Sequence, residues 1–164
     1  MDMIFDKQGA IFSDCRRWRY SLWRRFSDIP CRPKQFCAFI GLNPSTADET
    51  IDDPTVRRCI RFAKSWNFGG MIMLNLFAYR ATDPNVMKAF PHPVGEFNDF
   101  TIDTVCRSVG QVVCCWGNHG SFQNRSDHVG EILSDVPTWC FGTTKTGEPK
   151  HPLYLRGDSE LIFF

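Results

Sequence analysis

Three apolar runs of this chain each end in small or polar residues that could face a ligand. They are residues 37–40, followed by Gly41-Leu42-Asn43-Pro44-Ser45-Thr46; residues 71–74, followed by Asn75; and residues 112–115, followed by Trp116-Gly117-Asn118-His119. A strand with such an ending presents main-chain amides and a carboxamide at its carboxyl end. Ligands of open α/β sheets bind at this edge, so the recurrence favours a binding site over three ordinary turns.

Alternating strands and helices are predicted to position these residues. Period-two alternation predicts an edge hairpin from residues 10–13 and 18–23. Apolar runs and helical spacing predict the remaining elements, which are strands at 36–41, 71–77, 111–116 and 137–142 and helices at 54–66, 96–108 and 121–134. Strands that are apolar on both faces and alternate with helices predict a three-layer α/β/α fold around a mostly parallel four-stranded sheet.

Four loops are expected to converge at the carboxyl edge of this sheet. They are residues 42–53, 76–84, 117–123 and 143–156. The last of them contains Lys150-His151-Pro152-Leu153 and follows the last predicted strand. The site is therefore expected where these loops meet.

Size and charge restrict the class of protein. A chain of 164 residues fits a single domain, residues 1–164, with a core of its own. The formal net charge of +1 excludes a global basic field, so any contact with nucleic acid must be local. The apolar runs are too short to span a membrane, and the acidic amino terminus is unlike a signal peptide. A monomeric cytoplasmic protein is expected.

The eight cysteines are scattered, and several lie inside the apolar runs. No C-x-x-C pair or Cys/His cluster with zinc spacing is present in the sequence. Most are therefore expected to be buried, reduced core residues, with no metal and no cofactor. Cys15, Cys31 and Cys37 are the ones that a fold could still gather around a metal.

Four motifs in order give the chain a family resemblance. Gly41-x-Asn43-Pro44-Ser45, Leu74-Asn75, Trp116-Gly117-Asn118-His119 and Lys150-His151-Pro152-Leu153 resemble the motifs of the uracil-DNA glycosylase superfamily, over roughly residues 36–156. The strings N-P-S-T-A-D, D-D-P-T-x-R-R-C and N-L-F-A-Y-R-A-T-D-P resemble more closely an uncharacterised bacterial and phage family. The superfamily resemblance implies an α/β fold and a DNA or nucleotide partner.

The resemblance assigns roles to particular residues. Asn43 falls where the superfamily orients the attacking water, and an amide suffices there when the leaving group is good. His151 falls on the residue that donates a hydrogen bond to the departing base, and Asn75 on the residue that reads the base edge. The other residues implied to contact base, sugar or phosphate are Gly41, Leu42, Pro44, Ser45, Thr46, Phe77, Tyr79 and His119, with the two aromatic rings as stacking faces.

Two departures from the superfamily pattern bear on the substrate. No aromatic residue follows Pro44, so the pocket is open to a substituted or bulky base. The loop at His151 lacks the second proline and the serine of the family's intercalating loop. Efficient flipping of a base out of duplex DNA is therefore not implied.

Cationic residues offer a local surface for nucleic acid. Arginines interleave with Trp18, Tyr20 and Trp23 in the hairpin, and further cations lie on the helix after Pro54 and in the last loop. The residues assigned to this surface are Arg16, Arg17, Arg19, Arg57, Arg58 and Lys150. A hairpin edge protected by charge against aggregation is the alternative, and the helical arginines could face solvent.

Simpler interpretations stay open for three positions. His119 could be a structural loop residue, and Asn75 could cap the loop that follows it. Asp52 and Asp53 are helix-start residues, although a carboxylate beside the water held by Asn43 is a second possibility.

Three functions follow from these residues. The first is a DNA glycosylase that cleaves the N-glycosidic bond of uracil or a modified pyrimidine. The alternatives are a non-catalytic module that binds DNA or a nucleotide, and an enzyme of base hypermodification in phage-type DNA. The identity of the base and the choice among DNA, RNA and nucleotide are left open.

Overall fold

The computed structural model describes residues 6–164, which form a seven-stranded mixed sheet and four α-helices. The strands are β1 (Gln8–Phe12), β2 (Arg19–Arg25), β3 (Phe36–Gly41), β4 (Gly70–Asn75), β5 (Gln111–Cys114), β6 (Thr138–Cys140) and β7 (Ile162–Phe163). The helices are α1 (Pro54–Ser65), α2 (Pro84–Ala89), α3 (Asn98–Ser108) and α4 (Arg125–Ile132). The expected α/β class is confirmed.

The strand order in the sheet is β1-β2-β4-β3-β5-β6-β7. Neighbouring strands from β4 to β6 are parallel, whereas β1, β2 and β7 pair in the antiparallel sense at the two edges. The expected sheet of four strands is therefore too small. The hairpin is continuous with the sheet because β2 bonds to β4, and the two-residue β7 is too short to give a sequence signal.

Helices cover both faces of the sheet. Val56, Cys59 and Phe62 of α1 pack with the side chains of Phe39 and Met73 on one face. The other three helices pack on the opposite face, with core side chains Met87, Ile102, Cys106 and Val129. This arrangement buries the parallel strands on both sides, as their apolar sequences predict.

Local chain chemistry determines where the helices begin. Asp53 caps α1 by accepting a hydrogen bond from the Val56 amide at 2.9 Å, with Pro54 in the first turn. The helix predicted at 121–134 begins only at Arg125, because Gln123 and Asn124 adopt positive φ angles of 55° and 52° and end a preceding 3-10 segment. The helix α2, which Asp83 caps, is not among the predicted elements.

All eight cysteines, which lie within residues 6–164, are free thiols, and only Cys15 is exposed. Burial raises the pKa of the Cys37, Cys59 and Cys114 thiols well above the ordinary value. Among residues 6–164 no group of three or more His, Cys, Asp or Glu side chains is placed to hold a metal ion. No helix in the same range is long and apolar enough to cross a membrane.

The carboxyl end of β4 depends on a buried asparagine. Asn98 is fully buried, and its Nδ2 donates to the carbonyl oxygens of Asn75 and Leu76, both at 2.9 Å. These carbonyls belong to the residues that leave the sheet, so no neighbouring strand is available to satisfy them. Asn98 thereby fixes the direction of the chain after Asn75.

Replacing Asn98 with alanine should lower the free energy of unfolding by about 1–3 kcal/mol, because the Asn75 carbonyl loses its donor, whereas the Leu76 carbonyl keeps the hydrogen bond from Arg125 Nε at 2.8 Å. Urea denaturation monitored by circular dichroism measures this change. The matched control is Asn85→Ala, since Asn85 is exposed on α2, and its effect should stay within about 0.5 kcal/mol. Equal effects of the two variants would contradict the assigned role of Asn98.

Candidate functional site

A pocket of about 610 Å³ opens at the carboxyl edge of β3 and β4, beside the start of α1. Such a volume is in the usual range for small-molecule sites. The pocket brings together these sequence-predicted site residues: Gly41, Leu42, Asn43, Ser45, Thr46, Asn75, His119 and His151. The loops that supply them are far apart in the chain and meet at the expected edge.

The side chain of Asn43 is held by the main chain. Its Nδ2 donates to the carbonyl oxygens of Ala81 at 2.7 Å and Pro44 at 3.1 Å. Only the NH₂ end of a carboxamide can meet two carbonyls, so the orientation of this side chain is fixed. Its Oδ1 is thereby left to accept a hydrogen bond from a water or ligand in the pocket.

Arg19 lies at the floor of this pocket, only 2 % exposed, and is not on the protein surface. Its Nη1 donates to the Ala47 carbonyl at 3.0 Å and its Nη2 to Asn75 Oδ1 at 3.1 Å. Its Nε makes no hydrogen bond within residues 6–164. Burial lowers the pKa of Arg19 to about 10, so the guanidinium remains charged at neutral pH.

Asn75 is oriented by this arginine. Because Arg19 donates to Asn75 Oδ1, the Nδ2 of Asn75 is directed toward β3, where an added Cβ at Gly41 would lie 3.1 Å from it. The same Cβ would lie 2.7 Å from Met73 Cε. Glycine at position 41 therefore permits the close approach of the carboxamide to the neighbouring strand.

His151 contributes an imidazole of defined tautomer. Its Nδ1 accepts a hydrogen bond from the Leu153 amide at 3.3 Å, so the neutral ring carries its proton on Nε2. Burial lowers the pKa of His151, while the negative charge of Asp53 acts in the opposite direction. The neutral ring, an Nε2–H donor, is therefore favoured at neutral pH.

The loop that carries His151 is fastened to α1. Arg58 donates to the carbonyl oxygens of Pro152, at 3.4 Å, and Leu155. On the other side, the Gly117 amide donates to the Pro149 carbonyl at 2.8 Å. Gly117 has a φ angle of 73°, which glycine adopts without strain.

Asp53 has two roles in the structure. It caps α1, and it lines the pocket with its side chain almost buried. Its Oδ1 accepts from the Val56 amide, and its Oδ2 makes no hydrogen bond with any other residue in the range 6–164. Asp52 instead pairs with Arg24 at 2.8 Å. Of the two acidic residues, Asp53 is thus the one that lines the pocket.

Several sequence-predicted contact residues lie outside this pocket. Phe77 is fully buried in the core, with its ring 5.7 Å from that of Phe122. Tyr79 stacks on Phe90 at 3.9 Å, and Pro44 is buried without lining the cavity. The two rings that were expected to stack on a base therefore pack against the protein's own side chains. Their residue types alone did not indicate the direction in which they point.

His119 lies at the exposed rim of the pocket. Its Nδ1 is 2.9 Å from Lys88 Nζ.

The predicted cationic surface is divided among different roles. Arg16 is paired with Glu49 through two hydrogen bonds of 2.8 and 2.9 Å, and Arg57 donates to the Asp52 carbonyl at 2.6 Å. Arg58 holds the His151 loop, as described above. Arg17 and Lys150 remain exposed. The hairpin thus directs Arg19 inward and does not present one continuous face of arginines.

Sequence analysis placed Trp116 in a candidate motif but assigned it no role, and in the structure it forms part of the pocket wall. Its indole Nε1 donates to the buried carboxylate of Glu148, which also accepts from Ser126 Oγ at 2.9 Å. An added Cβ at Gly120 would lie 2.1 Å from the Trp116 ring, so this position requires glycine. The Trp-Gly pair at the end of an apolar run was the available signal.

Comparison with known proteins identifies the family. The family model described as "Protein of unknown function (DUF1643)" matches residues 19–153, and the chain belongs to this family. The match includes all the pocket residues from Arg19 to His151. A search of curated proteins and a search of solved structures gave no match.

The pKa of His151 is expected to lie below 6.5 and to fall further in Asp53→Asn, because the Asp53 carboxylate stabilises the imidazolium. Asparagine still caps α1, so the fold should be retained. NMR titration of the imidazole protons measures both values. Asp103→Asn, at a half-buried residue of α3 that is paired with Arg107 and lies outside the pocket, should leave the pKa of His151 unchanged. A rise of this pKa in Asp53→Asn would contradict the described electrostatics.

The sign of the linked stability change follows from the lowered pKa. Neutral His151 is favoured in the folded chain, so its contribution to stability is present above about pH 6.5 and is lost as the pH falls through the folded pKa.

Proposed function

We propose that this protein is a DNA glycosylase that hydrolyses the N-glycosidic bond of a uracil-type or substituted pyrimidine. The observation that carries the proposal is that Asn43, Asn75 and His151 line one pocket, each with its polar orientation set by a separate hydrogen bond. Residues that could orient water, recognise a base and stabilise a leaving group are thus directed at the same space.

Recognition of the base is assigned to Asn75. With one lone pair of Oδ1 occupied by Arg19, its Nδ2 is the group that presents donors. A pyrimidine that carries a carbonyl oxygen on the contacted edge matches a donor, whereas an amino group in that place would face another donor. This supports a uracil-type base over a cytosine-type base.

Departure of the base is assigned to His151. When the bond between C1′ and N1 breaks, the electron pair stays with the base and negative charge develops on its ring nitrogen and carbonyl oxygens. The Nε2–H of neutral His151 donates a hydrogen bond to that charge. The charge of buried Arg19 in the same pocket stabilises the anion further.

Attack of water is assigned to Asn43 and Asp53. Asn43 Oδ1 accepts a hydrogen bond from the water and orients its oxygen toward C1′. The Asp53 carboxylate stabilises the positive charge that develops on the sugar and accepts the proton of the water. The new bond joins the water oxygen to C1′, and the products are the free base and an abasic sugar.

The lining of the pocket supports a substituted base as the substrate. Ser45, whose hydroxyl lies 3.2 Å from that of Thr82, occupies the position after Pro44 and leaves the adjacent wall without an aromatic ring. The four neighbouring parallel strands β4, β3, β5 and β6 support the resemblance to the uracil-DNA glycosylase superfamily. All the proposed catalytic groups come from one chain, so a monomer suffices.

The test is release of free base from single- and double-stranded oligonucleotides that contain uracil, hydroxymethyluracil or a bulkier pyrimidine. We expect release by the wild type and a loss of about 10²–10³-fold in Asn43→Ala and in His151→Ala, because each removes an oriented group in the transition state. The matched controls are Asn85→Ala and His92→Ala, whose side chains are exposed outside the pocket.

No release from any of these substrates would refute the glycosylase. If DNA or nucleotide binding were then still weakened by Asn43→Ala, a non-catalytic binding module would replace it. Release that survives both pocket variants would show that the chemistry occurs elsewhere.

A further inference from the structure

A second groove, of about 360 Å³, lies directly beside the pocket. The two cavities share a wall formed by Ser45, Thr46, Ala81 and Thr82. A ligand in the pocket can therefore extend into the groove without crossing another element. The remaining lining residues of the groove are Arg16, Arg17, Tyr79 and Arg80.

Two of the three arginines carry a charge with no carboxylate partner. Arg16 is paired with Glu49. Within residues 6–164 the exposed side chain of Arg17 makes no hydrogen bond or ion pair, and Arg80 donates only to the Arg16 carbonyl, at 3.3 Å. The Nε of Arg80 is buried without a hydrogen-bond partner among the same residues. The groove thus has positive charge that the protein itself does not neutralise.

The main chain under these arginines is fixed. The Arg80 amide donates to the Arg17 carbonyl, and the Arg19 amide to the Ala78 carbonyl, both at 2.9 Å. The guanidinium of Arg80 lies 4.9 Å from the centre of the Phe12 ring. The position of the Arg80 charge is therefore largely set before a ligand arrives, whereas Arg17 is fixed at its main chain only.

Hydroxyl groups line the side of the groove nearest the pocket. Ser45 and Thr82 form a hydroxyl pair at 3.2 Å, and Thr46 is exposed beside them. Arginine guanidinium groups with serine and threonine hydroxyls are the side chains that proteins use most often to bind phosphate oxygens.

We infer that this groove is a phosphate subsite, in which Arg17, Arg80 and the Ser45–Thr82 pair bind a phosphate attached to the sugar of the pocket ligand. The inference rests on the proposed function for the identity of that ligand. It predicts that the substrate is a nucleotide or a nucleic acid strand, and not a free base or a nucleoside. The phosphate can belong to a strand or to a mononucleotide.

The first arm of the test compares binding of 2′-deoxyuridine, its 5′-monophosphate and its 3′-monophosphate by calorimetry. We expect at least one monophosphate to bind about tenfold more tightly than deoxyuridine in the wild type. This advantage should be lost in the double variant Arg17→Gln/Arg80→Gln, while the affinity for deoxyuridine stays the same. The double variant Arg61→Gln/Lys64→Gln, which also removes two positive charges but at exposed positions of α1 outside both cavities, should leave the advantage intact.

The second arm measures anisotropy of a labelled single-stranded uracil oligonucleotide at several KCl concentrations. Loss of one phosphate contact should reduce the slope of log affinity against log salt by about 0.7. The double variant Arg17→Gln/Arg80→Gln should therefore show a shallower slope, whereas Arg80→Lys should keep a slope close to that of the wild type, because the charge is retained. Tighter binding of the oligonucleotide than of either monophosphate would identify a strand as the source of the phosphate.

The inference and the proposed function fail in different ways. If the wild type and the double variant showed the same gain in affinity from the phosphate and the same salt slope, the subsite would be overturned. The proposal that the protein releases a base would be unaffected. Binding of oligonucleotide that depends on Arg17 and Arg80, with no base released, would support the subsite and refute the glycosylase. Circular dichroism of the double variant verifies that it is folded, and the single variant Arg17→Gln, at an exposed side chain, repeats the test independently of folding.

Discussion

The buried guanidinium of Arg19 joins three parts of the chain that the sheet alone would not hold together. It comes from β2, donates to the carbonyl of Ala47 in the loop after β3, and donates to Asn75 at the end of β4. A buried charge is stable only when its environment supplies hydrogen bonds, so these acceptors and the arginine constrain one another. The hairpin is therefore part of the pocket, although its position at the sheet edge is peripheral.

Much of the architecture could be predicted from sequence because hydrophobic periodicity reports burial. The runs at 37–40, 71–74 and 112–115 are buried on both faces, and the sheet edge at which the loops meet follows from the parallel pairing of these strands. Asp53 before Pro54 likewise identifies the start of α1. In each of these cases the controlling interaction is local or depends on a single repeated pattern.

The direction of individual side chains could not be predicted in the same way. Arg19 and Arg17 are two residues apart in a run of arginines, yet one is buried and the other exposed. Phe77 and Tyr79 follow Asn75 closely, yet their rings pack on Phe122 and Phe90, residues distant in sequence. Such differences depend on tertiary partners that no spacing rule contains. The pairing of Trp116 with Glu148 was missed for the same reason.

Asp53 caps α1 and Arg58 lies within this helix, and their common support affects the thermodynamics of ligand binding. Asp53 contributes a carboxylate to the pocket, and Arg58, five residues later, holds the carbonyls on either side of the turn that follows His151. The carboxylate and the imidazole, which are almost a hundred residues apart in sequence, are therefore both held in place by α1. Conformational entropy of the long last loop is lost when the chain folds, and not when a ligand enters, so little of the binding free energy is spent on ordering that loop.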